Sequence, residues 1–140
     1  MKENLLKLEE IISTPQINIT KLQEIKNQFL KTHVTALKIE NYIGDYPTFM
    51  EPVVLGDQVK IGDDVLIGPN VYIGKNSEIG NYVEISNSIL LDNVFIGNNF
   101  KLNNCVVASN STLKFTNFKG ENCFIKGNAN SKEELLIIPF

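Results

Sequence analysis

The sequence predicts an all-β core wound as triangular coils, preceded by helices and closed by an apolar tail. Three observations carry this prediction. Between Leu55 and Leu91 an aliphatic residue falls on every sixth position: Leu55, Ile61, Ile67, Ile73, Ile79, Ile85 and Leu91. Five of these are followed directly by glycine, at Gly56, Gly62, Gly68, Gly74 and Gly80. A helix repeats about every 3.6 residues and a half-buried strand about every 2, so neither accounts for a period of six. A coil with three six-residue sides, each contributing one buried aliphatic, does account for it. A β-sandwich is excluded on the same ground, because its strands alternate.

The elements follow in chain order. Residues 1–52 read as a helical extension and a connector. Leu5, Leu8, Ile11 and Ile12 make one apolar helical stripe, stopped by Ser13, Thr14 and Pro15. Thr20-Lys21-Leu22-Gln23 has the form of a capping box, with Leu22, Ile25, Phe29 and Leu30 following at helical spacing. Two helices this short are not stable alone, so they must dock on the coils. The connector, from about residue 36, contains Gly44, Asp45, Pro47 and Pro52. The coils are expected over residues 53–113 and a terminal cap over 114–140, where Phe115, Phe118, Phe124 and Leu135 to Ile138 can cover the open end of the core.

Each unit reads aliphatic, small, two polar or turn residues, small aliphatic, then a variable position, as in Ile61-Gly62-Asp63-Asp64-Val65-Leu66. The glycine is expected to permit the corner. This pattern resembles the hexapeptide-repeat proteins, and the resemblance implies a left-handed parallel β-helix of roughly 3–4 turns. After Leu91 the interval alternates between five and six, through Ile96, Leu102, Val107 and Leu113. The stretch Ile85-Ser86-Asn87-Ser88-Ile89-Leu90-Leu91-Asp92-Asn93-Val94-Phe95-Ile96-Gly97, with Asn104-Cys105-Val106-Val107, is similar to the carboxy-terminal coil domains of sugar-nucleotide pyrophosphorylases. In that family a nucleotidyltransferase domain precedes the coils. This chain contains no glycine-rich G-x-G-T-R-like nucleotide loop, so the resemblance does not carry pyrophosphorylase activity to it.

Composition narrows the function classes. The chain has 140 residues, a net charge of −3 and a pI near 5.2, which offers no basic surface to nucleic acid or to an anionic membrane. No apolar run has membrane-spanning length, and the first residues do not form a secretory signal, so the expected location is cytoplasmic. Cys105 and Cys123 lack metal-ligand spacing and read as reduced thiols.

Residues about eighteen apart stack on one face. The residues preceding the interior ones then give an outward strip of Val54, Tyr72, Leu90 and Val106, apolar throughout. Such a strip needs covering. The helices and a neighbouring subunit are the two candidates, and the subunit is preferred because the resembled coils commonly form trimers, making this an assembly face in a homotrimer. The other faces carry the pairs Lys60/Glu78 and Glu84/Lys101, solvated neighbours of small energetic weight.

Hexapeptide acyltransferases use a coil histidine as general base. Here the one histidine, His33, precedes the coils at a helix end, where a surface role suits it. A zinc-dependent carbonic-anhydrase-like enzyme needs three histidines and is excluded, and no metal site is expected. Asp63 with Asp64 reads as a corner pair. Ser86, Ser88, Ser109 and Ser111 lack a histidine partner, and Asn98-Asn99 and Asn103-Asn104 read as corner amides or stacked ladders. The expectation is therefore a coil protein related to sugar-nucleotide pyrophosphorylases, without a cofactor of its own, acting as an assembly or regulatory module beside a sugar-nucleotide enzyme or as the separated carboxy-terminal part of one. The alternative is a small acyltransferase for a nucleotide-linked amino sugar, using acetyl-CoA and His33.

Overall fold

The computed structural model describes residues 1–39 and 41–140. Among the described residues two helices, α1 (Lys2–Ile12) and α2 (Ile19–His33), precede sixteen strands. α1 ends where the hydroxyls of Ser13 and Thr14 donate to the carbonyls of Glu9 and Ile11, both at 2.7 Å. α2 begins two residues earlier than the expected capping box. Its cap is Asn18, whose Oδ1 accepts from the Lys21 amide at 3.1 Å.

The strands wind into a parallel β-solenoid. The first coil comprises β1 (Leu37–Ile39), β2 (Tyr42–Ile43) and β3 (Thr48–Phe49). The second is β4 (Val53–Leu55), β5 (Val59–Ile61) and β6 (Leu66–Ile67), and the third β7 (Val71–Ile73), β8 (Glu78–Ile79) and β9 (Glu84–Ser86). Then come β10 (Ser88–Leu90), β11 (Phe95–Ile96), the bent β12 (Phe100–Val107), β13 (Thr112–Leu113), the bent β14 (Phe118–Lys126) and β15 (Asn128–Ala129). Every coil pairs in parallel with the next, giving about five turns rather than three to four. A 3-10 turn at Lys132–Glu134 leads into β16 (Leu136–Pro139), which returns antiparallel along β14. The solenoid therefore extends beyond the expected 53–113 on both sides: the connector is the first coil, and the cap is confined to the last residues.

Interior columns hold the core. Leu55, Ile73, Leu90, Val107 and Ile125 stack on one side, Ile61, Ile79, Ile96 and Leu113 on the second, and Ile67, Ile85 and Leu102 on the third. Full burial of each such side chain contributes about 1.5–3 kcal/mol. One assignment differs from expectation. Leu90 pairs with Ile73 and faces inward, whereas Ile89 pairs with Tyr72 and faces outward. Period alone cannot choose among the consecutive aliphatics Ile89, Leu90 and Leu91. The short side between Ile85 and Leu90 decides it.

The corners are made by asparagine, not glycine. Among the described residues thirteen non-glycine residues have positive φ, nine of them Asn, and they fall one to a corner from Tyr46 to Asn122. Asn is the side chain that best tolerates this left-handed region. The repeated glycines serve a different need, because Gly56, Gly62, Gly74 and Gly80 are not among the positive-φ residues. A Cβ on Gly74 would lie 2.7 Å from both the Asp92 nitrogen and the Leu91 carbonyl carbon, so glycine is required by the close approach of successive coils.

The outward strip is Val54, Tyr72, Ile89, Val106 and Phe124, and all five are buried. They pack with Leu8, Ile12, Leu22, Ile25, Phe29 and Leu30 in one cluster. The two helices of the same chain cover the strip, so a neighbouring subunit could reach it only if they left. The preferred assembly face of Val54, Tyr72, Leu90 and Val106 is thus corrected twice, in its third member and in what covers it. The surface pairs form as expected, Lys60–Glu78 and Lys101–Glu84, each at 3.7 Å.

Candidate functional site

A polar groove lies where α2 crosses one corner of the solenoid. Its volume is about 560 Å³. The helix supplies Lys26, Asn27, Leu30 and Lys31, and the solenoid supplies Asn70, Asn87, Asn103, Asn104 and Asn122. Four of these asparagines exist as a ladder for a backbone reason: Asn70, Asn87, Asn104 and Asn122 hold φ between 49° and 60° at equivalent corners of successive coils. Stacking then brings their amides within bonding distance. Asn70 Nδ2 donates to Asn87 Oδ1 at 2.9 Å, Asn87 Nδ2 to Asn103 Oδ1 at 3.0 Å, and Asn104 Nδ2 to Asn122 Oδ1 at 2.7 Å.

Lys26 sits at the inner wall, 2 % exposed. Its ammonium donates to Asn27 Oδ1 at 3.0 Å and to Asn104 Oδ1. Both partners are neutral. Among the described residues the ion pairs are Lys60–Glu78, Lys101–Glu84 and Lys119–Glu121, so no carboxylate neutralises Lys26. Burial accordingly lowers its pKa below the ordinary lysine value, with the neighbouring Cys105 opposing the shift. Lys31, five residues further along α2, is exposed at the same groove. The lining contains no acidic residue. The arrangement can hold a negatively charged group and hydrogen-bond polar atoms beside it.

The residues singled out in the sequence are placed as follows. His33, in the last turn of α2, packs against Phe29 with ring centroids 5.3 Å apart, and it is not part of this groove. The serines have structural work: Ser88 Oγ accepts from the Cys105 amide at 3.0 Å, Ser111 Oγ from the Gly127 amide at 3.3 Å, and Ser86 Oγ donates to Asn103 at 3.1 Å. Ser109 Oγ donates to Glu9 Oε2 at 3.1 Å, tying α1 to the solenoid. Asp63 and Asp64 lie by Asp45 and Tyr46 on an open acidic surface with no cation beside them in its lining. Among the described residues no group of three or more His, Cys, Asp or Glu side chains could hold a metal ion. Cys105 and Cys123 are buried free thiols stacked in the interior.

Sequence reading missed Lys26, Lys31 and the ladder's ends, Asn70 and Asn122. One signal was present. Lys26 lies midway between Leu22 and Leu30 at a spacing of four, a charged residue in the middle of the apolar stripe of α2.

The comparisons with known proteins agree with this architecture. No curated protein and no solved structure matches the chain significantly. One family model does match, described as GMPPB C-terminal domain, over residues 49–139. That span runs from β3 to the end of β16 and covers more than half of the chain. The chain therefore belongs to the GMPPB C-terminal domain family and is related to the sugar-nucleotide pyrophosphorylases.

Proposed function

We propose that this chain is a non-catalytic coil module of a sugar-nucleotide pyrophosphorylase system, engaging a nucleotidyltransferase polypeptide through the open end of its first coil. One observation carries the reading. The far end of the solenoid is closed by β16 and by the packed rings of Phe100, Phe115 and Phe118, 5.2 to 5.8 Å apart. Among the described residues the first coil has no such lid. Its Leu37, Tyr42, Ile43, Tyr46 and Met50 are exposed, Tyr46 at 96 % and Ile43 at 54 %. A terminal coil with an apolar outer surface needs a cap. The helices do not serve, because they lie along the strip on the side. In the resembled family the nucleotidyltransferase domain precedes the coils, which is the side on which this surface lies.

The test is to mix the chain with the nucleotidyltransferase domain of a sugar-nucleotide pyrophosphorylase and follow sedimentation velocity. A complex that Ile43→Asp and Tyr46→Lys abolish supports the reading. Two species sedimenting independently at high micromolar concentration, or a complex indifferent to both substitutions, overturns it. The acyltransferase alternative rests on His33, whose contact with Phe29 favours a packing role. Saturable acetyl-CoA binding abolished by His33→Ala would restore that alternative.

A further inference from the structure

We propose that the groove between α2 and the asparagine corner binds a phosphorylated small molecule through its phosphate or diphosphate group. The inference stands on the groove alone and does not depend on the assembly reading. Among the described residues the buried ammonium bonds only neutral amides, and a buried charge without a partner of opposite sign is costly. An ammonium has three donors, and Asn27 and Asn104 accept from two of them.

The direction of the hydrogen bonds points the same way. One string runs from Asn70 through Asn87 to Asn103, the other from Lys26 through Asn104 to Asn122. Each passes its donors along and ends on an amide whose NH₂ group makes no hydrogen bond among the described residues. Asn103 and Asn122 both line the groove, together with exposed Lys31. The groove therefore offers two cations and free amide donors with no acidic residue, a set that suits the acceptor-only oxygens of a phosphate. A diphosphate, which brings more than one negative charge and many acceptor oxygens to two cations, suits it better than a single small anion. The remaining amides of the ladder are left for polar groups attached to the phosphate, such as sugar hydroxyls.

Calorimetric titration of the full chain with inorganic pyrophosphate at low ionic strength tests this, with thermal melting as a second readout. Saturable binding that raises Tm and weakens with added salt is expected. Lys31→Gln should weaken it about tenfold, as loss of one charge-assisted contact does. Lys26→Met, which keeps the buried stem and removes the charge, should abolish it. Where Lys26→Met fails to fold, Lys31→Gln and Asn122→Ala decide the question by themselves. Lys114→Gln, on a distant exposed lysine, should bind like the unaltered chain. Absence of saturable binding at millimolar pyrophosphate, unchanged binding in the groove variants, or equal weakening by Lys114→Gln overturns the proposal.

Discussion

The ring of Phe29 on α2 meets the ring of Tyr72 on β7 edge to face, with centroids 5.2 Å apart and planes at 82°. This geometry lets the positive ring edge approach the negative face. It anchors the helix pair to the outward strip, and Phe29 is fully buried there. Phe29→Ala should cost about 3–5 kcal/mol through the cavity it leaves, read as a lower midpoint in urea unfolding. A chain lacking both helices should expose the strip and self-associate in sedimentation velocity. A truncated chain that stayed monomeric would contradict the covering role of the helices.

Tyr72 also makes stability depend on pH. Burial, reinforced by the negative charge of Asp92, pushes its phenol up to about 12 from an ordinary value near 10. The folded state then holds a proton that the unfolded chain has released. Stability from this group is complete below about pH 10 and is lost as pH rises toward about 12, by roughly 2–3 kcal/mol. Buried Lys26, shifted downward, works in the opposite sense. Denaturation of the unaltered chain and of Tyr72→Phe across this range isolates the tyrosine: the substituted protein should lose the alkaline decline.

Glycines and corner asparagines should respond to alanine for different reasons. Gly74→Ala forces a Cβ against the backbone of Leu91 and Asp92 and should destabilise by about 1–3 kcal/mol or more, because backbone cannot step aside. Asn76 is exposed with φ of 59°, so Asn76→Ala should cost about 1 kcal/mol while Asn76→Gly stays near neutral. Thermal melting of the three variants separates crowding between coils from strain at a corner. Equal losses for both Asn76 variants would count against the corner explanation.

The stacked sulfurs of Cys105 and Cys123 lie 3.7 Å apart in the interior. The hydrogen bond that the Cys105 thiol donates to the Cys123 sulfur, together with burial, pushes the Cys105 thiol up, away from the reactive thiolate. The same contact pushes Cys123 down, but both side chains are buried, so both thiols should resist Ellman's reagent in the native protein and react promptly in denaturant. Fast native labelling would mean that the solenoid opens readily.

The hexad period made most of the core legible, because an interior column admits one aliphatic per side. It failed at both ends, where small residues take those places. Gly44 approaches Ile61 in the first coil, Gly120 pairs with Leu102, and Ala129 pairs with Leu113. With the aliphatic gone, the first coil looks like a connector and the last like a tail. Leu90 was misplaced because three aliphatics in a row satisfy any nearby register. The groove was hidden for another reason. Lys26 and Asn104 are 78 residues apart, and only docking of α2 brings them together.

A stack of coils touching only its neighbours should come apart like a zipper, one layer at a time from a weak end. The helices alter that. Packed along Val54, Tyr72, Ile89, Val106 and Phe124, and tied by Lys26 to Asn104 and by Glu9 to Ser109, they grip several layers at once. Peeling one layer then means losing hold of the others, so the hairpin acts as a splint that converts a fraying ladder into a single melting unit.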